Sequence, residues 1–469
     1  MVFSSLTFLF YFLPAMIITY YLVPEKFKNL VMIIASFAFY AWGEVRFIPI
    51  MLSLSVIDYV CGRKMDKTID DNPKKRKLYL LIAVGSNLFV LLYFKYTNFF
   101  LGSLYGLFGQ TSPWVKIVLP IGVSFNSFQS ISYAIDVYRR TTKSEEKYYN
   151  YLAYTTLFPQ IIAGPIVRYV TVEDDLDDHQ LTVDSFSTGM RRFIIGLGKK
   201  VLIANNVGLI WSEISSGQAG ASSVLLLWVG IIAYTFQIYF DFSGYSDMAI
   251  GLARIFGLSF DENFNYPYIS ESVTEFWRRW HITLGSWFRD YVYIPLGGNR
   301  GSVIKHLRNL FIVWLLTGLW HGASFNFMLW GLYFALILVI EKFFLKKHMD
   351  KWPHLIRHLY TLILVMISWV IFYFEDLSLA SGYIQAMFGF SHIPLVNNES
   401  LYYLISYSII FIVAAYASTP HFKKWNTRSE TNENIWLSTG ATLIYIGVFM
   451  ICVAYLVDST YNPFLYFRF

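Results

Sequence analysis

Apolar runs of roughly 17–25 residues recur along almost the whole chain, separated by short connections in which Lys and Arg collect. Inside a bilayer no water satisfies backbone N–H and C=O groups, so only helices and closed barrels cross it. Runs of this length predict an all-α integral membrane protein of about ten to twelve transmembrane helices. Only 14% of residues are charged and 56% are hydrophobic, against about 25% charged in soluble domains. The net charge of +6 does not point to nucleic acid, because the cations sit between spans as the positive-inside rule requires. Cys61 and Cys452 lie in or beside apolar runs and suggest neither a disulfide framework nor a zinc site. The opening MVFSSLTFLFYFLP lacks a basic n-region and a small-residue cleavage site, so it is taken as a retained first span.

Repeated spans with short connections argue for one polytopic domain over 1–469, with N-terminal spans in 3–137, a core in 150–345 and C-terminal spans in 355–457. The first span is Phe3–Val23, followed by the short runs Leu30–Trp42 and Phe47–Val60. Cys61–Lys77 is expected to be a basic cytoplasmic loop, which puts the N-terminus outside. Leu78–Phe100 crosses outward, Leu101–Trp114 turns outside, and Val115–Val137 returns with Asn126, Ser127 and Gln129 facing protein interior. Tyr151–Arg168 contains Pro159 and Gly164-Pro165 and is expected to be re-entrant or interfacial. Glu173–Asp184 is an acidic surface loop whose aspartates are solvated, with a metal site as the alternative. Phe186–Trp211 suits a tilted span with Lys199 and Lys200 snorkelling to the surface. Leu225–Phe240 runs into Asp241, Gly244, Asp247 and Gly251, which suggests a broken or buried helix, or else a polar helix terminus. Leu359–Phe374, Leu401–Ala417 and Ile435–Val457 complete the spans, with Glu375–Ser400 external, Pro420–Asn434 a basic loop and the tail external.

The most informative stretch is Asn263–Trp330. Glu271–Tyr291 fits one amphipathic helix, with Val273, Trp277, Trp280, Leu284, Trp287, Phe288 and Tyr291 on one broad face. Glu271, Glu275, Arg278 and Arg279 fall opposite, and Glu275 can pair with Arg279. A basic, Trp-rich helix lies in the membrane interface, and a plain anchor helix would explain everything except His281. Arg278, Arg279, Arg289 and Arg300 suit the phosphates of an anionic donor, since a guanidinium matches phosphate geometry. Gly297-Gly298-Asn299-Arg300 is a tight turn and not a nucleotide loop.

The next run is flanked by Lys305 and Arg308 before it and Lys342, Lys346 and Lys347 after it, so both ends belong in the cytoplasm. It is too short for two complete spans of ~20 residues and breaks at Thr317–Ser324. Asn309 to Trp320 covers roughly 18 Å of helix, which carries His321 to the bilayer midplane or beyond. One long kinked span is the competing geometry. An ionisable side chain at that depth marks a functional site by default, and the flanking glycines favour function over a structural histidine. A neutral imidazole there can act as general base on a hydroxyl. No Ser-His-Asp or Cys-His nucleophile arrangement is visible, which points to direct attack of an acceptor hydroxyl on an acyl donor. On this reading the histidines separate in depth, with His281 on the cytoplasmic side and His321 at the point of transfer.

These motifs carry a resemblance. LFPQIIAGPIVRY, FQIYFDFSGYSDMAIGLARIFG, NFNYPY…EFWRRWHITLGSWFRDYVYIPLGGNR, TGLWHGASFNFMLWG and the terminal YNPFLYFRF resemble the membrane-bound O-acyltransferase (MBOAT) family over nearly the whole chain, and within it the AlgI-like alginate O-acetyltransferase branch. The resemblance implies a ring of membrane helices around a funnel and tunnel. It implies His321 of the WHG motif as the principal catalytic residue and His281 of the RWH motif as the second. It implies cytoplasmic acetyl-CoA as donor substrate with no bound cofactor, an exported polysaccharide as acceptor, an extracytoplasmic SGNH-like partner, and a place in the bacterial inner membrane. Peptidoglycan O-acetylation and D-alanyl transfer to teichoic acid are the related alternatives. A transporter without acyl chemistry is the alternative of a different class, and the absence of an internal repeat weighs against it.

Overall fold

A chain so poor in charge satisfies its backbone within each segment, and the computed structural model is accordingly helical, with no strand among the described residues. These are residues 1–68, 72–110, 113–114, 116–217, 222–421, 435–458, 462 and 465. Two compact units form, one from Met1–Phe193 with Ser246–Glu262, the other from Ile194–Tyr245 with Asn263–Phe469.

In the first unit the helices Lys28–Glu44 and Ile48–Lys67 are joined by one 3-10 turn and, with the turn Glu25–Phe27 before them, form a helical stretch of 43 residues. The basic run 61–77 is therefore wound mostly onto helix ends and is not the loop expected. Lys64 and Lys67 occupy the last turn of one helix, where cations favour the carbonyl end. The next helix begins at Pro73 with the Asn72 side chain accepting from the Lys75 N–H at 3.0 Å. Helix also replaces much of the turn expected over 101–114, since Thr97–Leu107 is helical.

Val123–Arg139 is helical, and the re-entrant expectation for 151–168 finds its counterpart in a buried, non-helical segment after Thr156. Side chains satisfy backbone groups there. Ser36 Oγ accepts from the Phe158 N–H at 3.0 Å, Gln160 donates to the Tyr154 carbonyl at 2.6 Å, and the Tyr154 hydroxyl donates to the Val167 carbonyl at 3.1 Å. Gly122 sits at φ +76°, and a Cβ on it would overlap the Ile161 carbonyl. The acidic loop is in part a helix, Tyr169–Asp177, with Val172 and Leu176 buried. Its Asp177 pairs with Lys147 at 2.9 Å, and Asp175 accepts from the Ser259 N–H at 2.7 Å.

In the second unit Val303–His321 and Phe325–Ile340 form a helical hairpin, which removes the alternative of one long kinked span. Small residues let the arms touch. A Cβ on Gly318 would overlap the Phe327 carbonyl, one on Gly331 the Trp314 carbonyl, and one on Gly322 the Phe327 ring. Helix continues beyond Ile340 to Met349. His354–Tyr373 packs beside the hairpin, with the Tyr333 hydroxyl donating to the Leu364 carbonyl at 2.8 Å. The expected span Leu401–Ala417 is two helices, Asn398–Ser406 and Ser408–Ala417, bent by 53°.

Of the readings of 225–251 the buried helix holds: Val224–Ile255 is one continuous helix with Asp241 and Asp247 buried in it, and it neither breaks nor ends there. A further expectation is corrected. Lys200 does not snorkel; it pairs with Asp241 at 2.6 Å, with the two side chains 3% and 4% exposed. Seven helices among the described residues are long and apolar enough to cross a membrane, or eight if the bent pair is one span, fewer than the ten to twelve anticipated. Phe8–Leu22 is shorter, and Val303–His321 carries Lys305, His306, Arg308 and Asn309 in its first two turns.

Candidate active site

The sequence around His281 has helical periodicity throughout, yet the helix breaks there. Val273–Arg279 and Ile282–Phe288 are separate, and His281 takes the left-handed conformation at φ +45° and ψ +54°. Such a backbone costs a non-glycine residue on the order of 1–3 kcal/mol and persists where the surroundings fix it. Here the Asn263 segment fixes it. Asn265 donates to the Arg279 carbonyl at 2.9 Å, and Ile282 donates to the Asn263 carbonyl at 2.9 Å. The apolar face expected to lie in the membrane interface is instead largely buried in protein: Val273, Trp280, Leu284, Trp287, Phe288 and Tyr291 are buried and Trp277 half-buried.

His281 is 1% exposed. Its Nδ1 lies 3.0 Å from Asn263 Oδ1. The same oxygen accepts from the Thr283 N–H at 3.4 Å and the Thr283 hydroxyl at 2.9 Å. A backbone N–H can only donate, so the Asn263 oxygen is the acceptor and Nδ1 carries the proton. The lone pair is then on Nε2, which is buried without a hydrogen-bond partner among the described residues. Burial pushes the imidazole down to about 3, so the ring is neutral at physiological pH.

His321 is the last residue of its helix, at the hairpin apex. It stands roughly 27 Å along the axis from Val303 at 1.5 Å per residue. Trp320, Trp330 and Phe372 surround its ring, with centroids at 5.0, 5.1 and 5.4 Å and near-perpendicular planes. Trp320 also meets His281, at 5.8 Å. One indole therefore touches both imidazoles. The pair supplies a directed nitrogen lone pair and a second imidazole in apolar surroundings, a setting for proton transfer to and from a hydroxyl.

The four arginines do not act alike. Arg279 pairs with Glu275 at 2.9 Å as expected, and also donates to the Asn265 carbonyl at 3.1 Å. Arg289 pairs with Asp290 at 2.7 Å. Arg278 and Arg300 are exposed and make no ion pair among the described residues. Sequence reasoning missed Thr283 and Asn263 as the groups that orient His281, and Trp320 as the bridge. Their signal was adjacency: Asn263 opens the NFNYPY motif, and Trp320 precedes His321.

Residues 140–383 match the membrane-bound O-acyltransferase family, MBOAT. The chain is 44% identical over 395 residues to a probable alginate O-acetylase, AlgI, of Pseudomonas aeruginosa, covering 83% of this chain and 75% of that protein. It is 38% identical over 494 residues to the probable alginate O-acetylase of Pseudomonas putida, covering all of both. It is 29% identical over 524 residues to a peptidoglycan O-acetyltransferase of Helicobacter pylori, covering 100% of this chain and 98% of that one.

Proposed function

The chain belongs to the membrane-bound O-acyltransferase family and is a multi-pass membrane acyltransferase, and from that premise we propose that it moves an acetyl group from cytoplasmic acetyl-CoA to hydroxyls of an exported cell-surface polysaccharide. The observation that carries the chemistry is the single indole touching both imidazoles. The relatives named alginate O-acetylase support an acetyl group and a polysaccharide acceptor.

In this reading the acceptor oxygen attacks the thioester carbonyl carbon as His321 takes the hydroxyl proton. The C–S bond then breaks, the proton passes to the departing thiolate, and an ester and free thiol result with no net proton change. His281, neutral and with Nε2 bare, supplies a hydrogen-bond acceptor on a ring that meets the same indole. Arg278 and Arg300 are the cations left available for donor phosphates. The acceptor is the sugar hydroxyl itself or a group on an SGNH-like extracytoplasmic partner that completes the transfer. The membrane is the bacterial inner membrane, with the N-terminus outside and the basic connections in the cytoplasm.

The relative named peptidoglycan O-acetyltransferase supports peptidoglycan as the second acceptor. Mass spectrometry of envelope glycans with and without the gene separates the two. Loss of acetyl esters from the exopolysaccharide is the expected result, and loss from peptidoglycan alone supports the second acceptor. Unchanged acetylation of every glycan would exclude both.

A further inference from the structure

We propose that Glu341 is a positioning residue that sets where His281 stands against the His321 hairpin, an inference that rests on the two histidines forming one site. Glu341 lies on the second arm of the hairpin, just past Ile340, and is 3% exposed. A buried carboxylate requires partners, and its partners are on the His281 segment. Glu341 accepts from the Val273 N–H at 2.7 Å, the Thr274 N–H at 2.9 Å and the Thr274 hydroxyl at 2.6 Å.

Val273 and Thr274 open the helix whose far end is Arg279, followed at once by Trp280 and His281. The Ser272 side chain completes the cap by accepting from the Glu275 N–H at 3.0 Å. The carboxylate thus joins the start of the His281 helix to the arm that descends from His321. Between these points Trp277 packs its ring against Trp314, Trp330 and Phe334 at 4.7, 5.5 and 4.8 Å, on both arms of the hairpin. The aromatic contacts are non-directional and hold the face of the helix against the hairpin. The three directed hydrogen bonds at Glu341 set its position along the arm, and with it the place of His281 two residues beyond the helix end.

The test compares Glu341→Ala, Glu341→Gln, Thr274→Ser and Thr274→Val in the full-length protein. Two readouts are taken: kcat and KM for acetyl transfer, and labelling of individual histidines by diethylpyrocarbonate. His179, buried in the first unit with partners Tyr20 and Asn29, is the control. Glu341→Ala is expected to lower kcat on the order of 10²-fold, as a misplaced catalytic group does, with KM for the donor unchanged. Labelling of His281 should rise while His179 stays protected. Glu341→Gln, which keeps one acceptor oxygen, and Thr274→Val should fall between, and Thr274→Ser should match the wild type. Continued protection of His281 in Glu341→Ala, or equal rises at His281 and His179, would overturn the proposal. If the wild type transfers no acetyl group, the functional reading fails, and the labelling contrast still decides the role of Glu341.

Discussion

Asn263 Oδ1 and His281 Nδ1 stand 3.0 Å apart, with the direction of the bond set by a third residue, Thr283, whose N–H and hydroxyl both donate to the same oxygen. A neutral imidazole has one donor and one acceptor nitrogen, so this single contact decides that Nε2 is the basic one.

Replacing Asn263 tests that assignment. Asn263→Ala removes a buried acceptor shared by the His281 ring and the Thr283 N–H and hydroxyl, and should cost about 1–3 kcal/mol of stability with a clear fall in kcat. Asn263→Asp keeps the acceptor and adds a negative charge beside the ring, which raises the imidazole pKa. The pH–rate profile of Asn263→Asp should therefore gain an acidic limb closer to neutrality than that of the wild type. A profile identical to wild type would mean that Asn263 does not set the state of His281.

Burial of His281 has a consequence for acid stability. The folded protein leaves the ring neutral down to about 3, while the unfolded chain protonates it near the ordinary value of 6.5. Below that value the unfolded state binds more protons, so this contribution makes stability fall from about pH 6.5 toward pH 3 and leaves it flat above. His281→Gln removes the slope. Thermal unfolding in detergent at about pH 7.5 and about pH 5 should show a larger drop for the wild type than for His281→Gln.

The hairpin that presents His321 depends on bare backbone at its contact. Gly318→Ala or Gly331→Ala places a methyl on a carbonyl of the opposite arm. Overpacking of this kind costs about 1–3 kcal/mol, and here the obstacle is backbone, so the arms must separate. Both variants should insert, unfold at lower temperature and lose activity. Gly285→Ala, where a Cβ meets open space, is the matched control and should insert with wild-type stability and activity.

The buried pair Lys200–Asp241 also holds Leu465, because Asp241 Oδ2 accepts from the Leu465 N–H at 2.8 Å. Lys200→Met alone strands a buried carboxylate and should destabilise by about 3–5 kcal/mol. The double replacement Lys200→Met with Asp241→Leu should recover much of that loss. Equal destabilisation by the single and double variants would show that the charges do not compensate each other.

Particular residues show what the sequence could and could not reveal. The helices were legible because apolar run length and bilayer thickness are tied together. The break at Thr317–Ser324 was legible because small residues interrupt an apolar run at a histidine, and the hairpin apex lies there. Asp241, Gly244, Asp247 and Gly251 suggested a broken or a buried helix, and the buried one forms for a tertiary reason. Gly251 lies against the Gly189 carbonyl and Gly244 against that of Gly196, so these glycines serve close helix contact and break nothing. The two carboxylates that seemed out of place in a span are met by Lys200 and by Arg192, the latter 2.7 Å from Asp247. The interruption at His281 was invisible for the converse reason. Periodicity runs unbroken through Trp280, and the left-handed turn is imposed by Asn263, eighteen positions earlier.

The central claim is that His321 is the group at which the acyl moiety changes hands. The most direct measurement is transfer of labelled acetyl groups from acetyl-CoA to exported glycan in membranes carrying His321→Ala, with insertion and abundance matched to wild type. The account predicts that transfer is abolished in His321→Ala and strongly reduced in His281→Ala. Glycan acetylation at the wild-type rate in His321→Ala would contradict it.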